Sequence, residues 1–196
     1  METKKISVGS FEVNCCVVAV DGKAWIIDPG AEPERIAALV ESMACEPGGI
    51  LLTHAHFDHI GAIPALERRW PGLPVFVHPK DAEIITHAFN QFPPEYPAIP
   101  RPANVKTDEW PGFVTVIETP GHTPGGVCFL IGGRLFSGDT LFAGSVGRTD
   151  FPGGSMATLR ESLKKLTALP DDTPVTPGHG PDTTIGREKA HNPYLN

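Results

Sequence analysis

Seven residues in four short segments carry the chemistry open to this chain. The run Thr53-His54-Ala55-His56-Phe57-Asp58-His59 sets three imidazoles and a carboxylate close together. His54 and His56 are two apart, so an extended backbone points both to one side, as two ligands of one metal ion require. Asp58 and His59 are adjacent and are expected to diverge. They do not easily join that ion, but they can serve a second one a few ångströms away. One loop cannot complete such a site, and three other turns offer donors. Pro120-Gly121-His122-Thr123-Pro124 and Pro177-Gly178-His179-Gly180 each present one imidazole, and Phe136-Ser137-Gly138-Asp139-Thr140 presents a carboxylate after an apolar run. Five imidazoles and two carboxylates suit two ions that share a bridging Asp and a bridging water, with positions left open for chemistry. One histidine at a strand end is more often structural than ligating. Packing alone does not explain this density. His78, His87 and His191 lack partners at ligand spacing and are expected not to be ligands.

The elements around these residues follow from hydrophobic period. Residues 4–8, 13–20 and 24–28 read as strands rich in Val and Ile. Asp28-Pro29-Gly30 breaks the third. Ile36, Leu39, Val40 and Met43 recur at helical spacing. Residues 50–53 form a short buried strand, 60–69 a helix and 75–77 another buried strand. Residues 89–112 hold Pro93, Pro94, Pro97, Pro100, Pro102 and Pro111, with Phe89, Phe92 and Tyr96 between them. No helix survives that proline density. The segment reads either as a stiff surface connector or as a loop whose aromatic side chains lean over a substrate groove. Strands are expected again at 114–119, 127–131 and 134–138. An amphipathic helix follows from Met156, with Leu159, Leu163, Leu166 and Leu169 on one face. A strand near 173–176 and a helix near 186–191 come last. Runs of strands followed by helices occur twice, which suits an α/β class fold of two packed sheets with helices outside.

Bulk properties narrow the function classes. The 196 residues suit a single domain over 1–196. Gly and Pro, at 21 each, mark a fold of tight turns and shaped loops. The formal net charge of -7 and the lack of a basic stripe argue against a nucleic-acid partner. The opening Met-Glu-Thr-Lys-Lys leads into Ile6 and Val8 without an apolar signal core, and no run spans a bilayer, so no membrane partner and a cytoplasmic location are expected. Cys15, Cys16, Cys45 and Cys128 form no Cys-x-x-Cys pair and read as small buried hydrophobes in a reducing compartment.

His54-x-His56-x-Asp58-His59, then His122, Asp139 and His179, together resemble the metallo-β-lactamase superfamily along essentially the whole chain. The resemblance implies a four-layer αββα sandwich. It assigns His54, His56 and His122 to one metal, Asp58, His59 and His179 to the other, and Asp139 to the bridge. Many metallo-β-lactamases carry Cys or Ser in place of that bridging Asp. A carboxylate there is similar to the glyoxalase II, phosphodiesterase and persulfide dioxygenase branches. Phe136 to Phe142, Gly147-Arg148-Thr149-Asp150-Phe151-Pro152-Gly153-Gly154, and Gly178-His179-Gly180-Pro181 with Glu188 and Asn192-Pro193 resemble the short bacterial glyoxalase II-like enzymes, hydroxyacylglutathione hydrolases. The long members carry a further C-terminal helical region that helps hold glutathione. This chain ends soon after His179, which weakens the glutathione assignment more than the hydrolase assignment.

The expected reaction is hydrolysis of S-(2-hydroxyacyl)glutathione, S-lactoylglutathione giving lactate and glutathione, by a hydroxide bridging two divalent metal ions. Zn is expected first, with Fe or Mn as alternatives. Asp58 and Asp139 are the expected catalytic carboxylates, Asp58 both ligating and orienting the hydroxide. A thioester suits the site because its thiolate leaves without a strong general acid, the thiol pKa being roughly 8.5. Arg148 is the expected contact to a substrate carboxylate, against the alternative of an internal salt bridge to Asp150 or Glu188. The partner is a small-molecule thioester, and the protein a monomer or small homo-oligomer. The competing enzyme is a mononuclear iron persulfide dioxygenase acting on glutathione persulfide, with His54, His122 and Asp139 on the iron. Phe57 and Gly180-Pro181 depart from what that branch tends to carry. A non-catalytic scaffold should have lost a ligand, and none is missing.

Overall fold

The computed structural model describes residues 1–107 and 109–195. Asp108, within the proline-rich 89–112 stretch, and Asn196 lie outside the described residues. The chain forms two compact units, Met1–Trp110 and Pro111–Asn196.

The first unit is built on a six-stranded sheet in the order β1-β2-β3-β4-β5-β6. Its strands are β1 (Glu2–Val8), β2 (Val13–Val20), β3 (Lys23–Ile27), β4 (Glu46–Leu51), β5 (Val75–Phe76) and β6 (Val105–Lys106). The β1–β2–β3 meander is antiparallel, and β3 to β6 run parallel. Four helices accompany it: α1 (Pro33–Glu41), α2 (Phe57–Ile60), α3 (Ile63–Arg69) and α4 (Pro79–Ala82). Pro33 starts α1, where a missing N–H costs nothing, and Ile36, Ala37 and Val40 are its buried residues. The core holds Val13, Cys15, Val17, Ile26, Ile50, Leu52, Ile63 and Leu66. Cys15 and Cys16 alternate across β2, yet both are buried, because this strand is buried from Val13 to Val18. Burial, with Cys16 and Asp28 nearby, pushes the Cys15 thiol well up. All four cysteines are free thiols.

The second unit carries a five-stranded sheet in the order β13-β12-β9-β8-β7, from β7 (Thr115–Glu118), β8 (Val127–Ile131), β9 (Arg134–Gly138), β12 (Pro174–Pro177) and β13 (Thr183–Thr184). A small ribbon pairs β10 (Leu141–Phe142) with β11 (Ser145–Val146). Gly132 and Gly133 turn β8 into β9, both with positive φ, as a two-residue hairpin requires. Helix α5 (Met156–Thr167) starts at Ser155, whose hydroxyl accepts from Thr158 N at 3.2 Å, and buries Leu159, Leu163 and Leu166. Truncating one of these leucines to Ala costs about 2–5 kcal/mol. Helix α6 (Ile185–His191) is tied down by Glu188, which is 1% exposed. Its carboxylate accepts from Gly144 N at 2.7 Å, the Thr183 hydroxyl at 2.5 Å and Asn192 Nδ2 at 2.8 Å.

The longer expected elements are present, with ends shifted by a few residues. The helix expected over 60–69 is α3, starting at Ile63, and a separate single turn, α2, precedes it. Among the described residues no helix is long and apolar enough to cross a membrane.

Candidate metal centre

In the first unit the donors follow the C-terminal end of β4. Thr53 to His56 is loop, bent at Thr53 and extended at His56, and α2 begins at Phe57. Ala55, between the two histidines, is pinned on both sides. Its N–H donates to Asp81 Oδ2 at 3.1 Å, and its carbonyl accepts from Asn90 Nδ2 at 2.7 Å. Both partners are buried, Asp81 completely. The rings of His54 and His56 lie 4.9 Å apart at right angles.

Asp28 organises the histidines behind this loop. It follows β3 with a left-handed φ of 51° and is buried. Asp28 Oδ1 accepts from Thr53 N at 2.8 Å, and Oδ2 accepts from the Thr53 hydroxyl at 2.6 Å. The single hydroxyl proton is therefore spent on Asp28, so Thr53 Oγ1 can only accept from His54 Nδ1, 3.1 Å away. That fixes the His54 tautomer and leaves the Nε2 lone pair for a ligand role. His59 Nδ1 lies 3.1 Å from Asp28 Oδ2, so the same carboxylate stands beside a second ring. Donor atoms of Asp28, His54 and His59 all lie within 4.8 Å of one another. Sequence reasoning took Asp28 only as a strand breaker. The signal was a buried-strand end followed by Pro29-Gly30.

Asp58 and His59 do not diverge as adjacency suggested. Both sit in the single turn of α2, where neighbours are rotated by about 100° rather than 180°. Asp58 Oδ2 comes within 3.9 Å of His59 Nε2. Gly30 permits the approach, since a Cβ there would stand 1.8 Å from the Asp58 carbonyl oxygen.

The second unit gathers His122, Asp139 and His179 from three strand ends. The His122 loop is held by α5. Ser155 N donates to Gly121 O at 2.8 Å, and the Ser162 hydroxyl donates to Pro120 O at 2.7 Å. Gly121, with φ 139°, lies against the backbone of Leu159, where any Cβ would collide at 2.4 Å. His122 Nδ1 lies 2.7 Å from Arg148 O, a carbonyl that can only accept, so Nδ1 carries the proton and Nε2 is the lone-pair nitrogen. Gly178 N donates to Gly138 O at 2.8 Å and ties the His179 turn to the Asp139 turn. Asp139 Oδ2 stands 3.5 Å from His122 Nε2 and 3.5 Å from His179 Nε2. Two ligands of one tetrahedral ion with bonds of about 2.0–2.1 Å stand about 3.3–3.4 Å apart. The carboxylate oxygen thus keeps ligand-to-ligand distance to two imidazoles at once. Gly147 makes room behind it, since a Cβ there would meet the Asp139 carbonyl oxygen at 1.8 Å.

Arg148 contributes to this unit through its main chain. Its guanidinium pairs with Asp150, Nε to Oδ1 and Nη2 to Oδ2 both at 2.7 Å, and lies 4.0 Å from the Phe151 ring centre. The hydrogen bonds from Arg148 hold the exposed Asp150 carboxyl down at about 2. Glu188 is engaged elsewhere, as described above. Of the remaining histidines, His78 accepts from Lys80 N at 3.3 Å and caps α4, and His87 Nδ1 accepts from Phe89 N at 3.4 Å. His191 is the last residue of α6.

The donors fit divalent metal. They are imidazoles, four of them buried and two, His54 and His122, held in a fixed tautomer, with carboxylates at ligand spacing, a nitrogen and oxygen set that suits Zn, Fe or Mn.

A family profile described as the metallo-beta-lactamase superfamily matches residues 8–179, a stretch that contains all seven donors. The chain is 36% identical to a protein of Haemophilus influenzae named hydroxyacylglutathione hydrolase GloC, over 100% of this chain and 99% of that one. Among solved structures, the BLEG-1 B3 metallo-beta-lactamase superposes with a TM-score of 0.89 at 38% identity, covering 99% of each chain. TTHA1623, crystallised in a di-iron-bound form, gives 0.86 at 41%, covering 98% of this chain and 100% of that one. The chain belongs to the metallo-β-lactamase superfamily and has its fold, an α/β sandwich of mixed sheets with helices. Within it, the protein is a metallohydrolase.

Proposed function

We propose that the chain hydrolyses thioesters of the S-(2-hydroxyacyl)glutathione type at a centre of two divalent ions. The observation that carries this reading is Asp139 Oδ2, 3.5 Å from both His122 Nε2 and His179 Nε2. A carboxylate oxygen shared by two imidazoles is what a bridging ligand requires. As the family resemblance implies, His54, His56 and His122 would hold one ion, Asp58, His59 and His179 the other, and Asp139 both. The ions, when bound, supply an acidified water and a Lewis acid for a carbonyl oxygen. The residues do the rest. Asp28 through Thr53, and the Arg148 carbonyl, keep His54 and His122 in the ligating tautomer. Asp58, buried beside His59, orients the attacking water through its carboxylate. Arg148, half exposed, exchanges Asp150 for a substrate carboxylate. The thiolate product leaves unprotonated, so no dedicated acid is needed.

The name of the Haemophilus influenzae relative supports the substrate class, and the di-iron form of TTHA1623 supports a two-metal centre. The substrate is a small molecule rather than a nucleic acid, in keeping with the net charge of -7. One side-by-side assay tests the reading. S-lactoylglutathione hydrolysis and glutathione-persulfide oxygen uptake are measured on one preparation whose metals are counted. Thioester turnover with two ions per chain is expected. Oxygen uptake with one iron and no thioester turnover overturns the reading, as does turnover of a β-lactam alone.

A further inference from the structure

Four aromatic rings in the first unit have no part in holding the donors. Phe11 occupies the turn between β1 and β2, and Phe57 stands in the chain between His56 and Asp58. Phe92 and Tyr96 come from the proline-rich segment. The Phe11 ring centre is 5.5 Å from Phe57, 5.6 Å from Phe92 and 5.6 Å from Tyr96, each an edge contact. Phe57 lies 6.0 Å from Phe92 in near-parallel planes and 5.3 Å from Tyr96.

The cluster has a buried base and an open rim. Tyr96 is 3% exposed, whereas Phe11 is 39% and Phe92 52% exposed. Rings left in water at a cluster's edge give up the burial that normally justifies them. The rim is also rigid before any ligand arrives. Phe92 and Tyr96 exchange two backbone hydrogen bonds at 2.7 and 2.8 Å. Ser10 N donates to Glu95 Oε1 at 3.3 Å, which fastens this loop to the β1–β2 turn. Gly9 closes the same seam, since a Cβ there would stand 2.0 Å from the Tyr96 hydroxyl oxygen. A rigid apolar rim beside Asp58 is a surface that binds without paying to order itself.

Charge decides which part of a thioester it takes. Glu12, in the turn that carries Phe11, and Glu95, between Phe92 and Tyr96, are both exposed and acidic. Glutathione brings two carboxylates, which such a surface repels. An uncharged acyl chain has no such conflict.

We propose that Phe11, Phe57 and Phe92, seated on Tyr96, form the acyl-specificity surface of the site. They select thioesters whose acyl group carries an alkyl or aryl extension. This inference rests on the thioesterase reading above and deepens it.

The test uses the metal-loaded full-length protein and two readouts. S-methyl-, S-butyl- and S-hexylglutathione are titrated calorimetrically as non-hydrolysable probes of the chain. Full burial of one methylene strengthens binding about fourfold, so a half-open rim gives roughly twofold per methylene. Phe92→Ser and Phe11→Ser each flatten the series; both side chains are exposed, so the fold tolerates them. In turnover, the ratio of kcat/KM for S-mandeloylglutathione to that for S-lactoylglutathione falls at least about fivefold in each variant. A flat series in the unmodified protein, or a slope that survives both substitutions, overturns the proposal. So does a dimer that Phe11→Ser with Phe92→Ser converts to monomer, because the rim is then an interface between copies. An intact slope with no turnover of either thioester supports the rim and overturns the thioesterase reading instead.

Discussion

The two units build their donors by opposite means. The first supplies His54, His56, Asp58 and His59 from one loop and one helical turn, and braces them with buried polar groups, Thr53 in the loop itself and Asp28, Asp81 and Asn90 from elsewhere. The second takes His122, Asp139 and His179 from separate strand ends and braces them mainly with backbone: the Arg148 carbonyl, Gly138 O and the start of α5. Local crowding needs a specific carboxylate to sort out tautomers. Donors brought together by strand register inherit their positions from the sheet. The first set should therefore be sensitive to side-chain changes behind the ligands, and the second to changes of backbone space.

The largest expected effect is at Asp139, the donor shared by two histidines. Asp139→Ala should lose tight binding of both ions and cut thioester kcat/KM by more than about 100-fold, beyond the 10–100-fold typical of groups behind ligands. A variant that still holds two ions on metal analysis would contradict the bridging role. Next come the paired glycines. Gly147→Ala and Gly30→Ala each drive a Cβ to 1.8 Å from a donor's carbonyl oxygen, Asp139 in one case and Asp58 in the other. Each should lower thermal stability by about 1–3 kcal/mol, as overpacking does. Gly147→Ala should release more metal, because Asp139 faces two imidazoles; equal loss from both would remove the asymmetry drawn above. Asp28→Asn is the third test. Its one remaining acceptor oxygen cannot serve both Thr53 N and the Thr53 hydroxyl, so metal affinity should fall about 10–100-fold with the fold intact by circular dichroism. Unchanged affinity would mean that the loop sorts its own tautomers.

The smallest effect is at Arg148. The folded Asp150 carboxyl, held at about 2 chiefly by hydrogen bonds from Arg148, should return toward roughly 3.9 in Arg148→Ala, read by NMR titration. The folded value is the lower one, so this pair's contribution is present above the unfolded value and fades as pH falls from about 4 to about 2. Both side chains are largely exposed, so stability at pH 7 should barely move.

Much of this was legible in the sequence, for identifiable reasons. The alternation at Ile6 and Val8 in β1, the apolar runs of β2, β8 and β9 and the leucine face of α5 are local signals, and they produced the elements they promised. The seven candidate donors stood out because four crowd into six residues and the other three each follow a Gly near a strand end. The two-residue strands β5, β6, β10, β11 and β13 are different. They exist through their partners, and of these only β5 lay within an expected strand. The polar braces were silent for a related reason: Asp28, Asp81 and Asn90 look like ordinary turn residues until burial shows what they touch. Arg148 drew notice for its guanidinium, whereas its carbonyl is what reaches His122. No sequence pattern marks a carbonyl.

The Glu188 clamp sets an order on how the protein is made. Synthesis runs from the N-terminus, and domains generally fold as units as they emerge. The first unit is complete in sequence at Trp110. In the second, β12 sits between β9 and β13, and the carboxylate that fastens Gly144, Thr183 and Asn192 lies on the last helix. At about 5–20 residues per second, several seconds separate the two completions. His54, His56, Asp58 and His59 are therefore all synthesised well before His179. The donors of the first unit are thus made seconds before the clamp that completes the second.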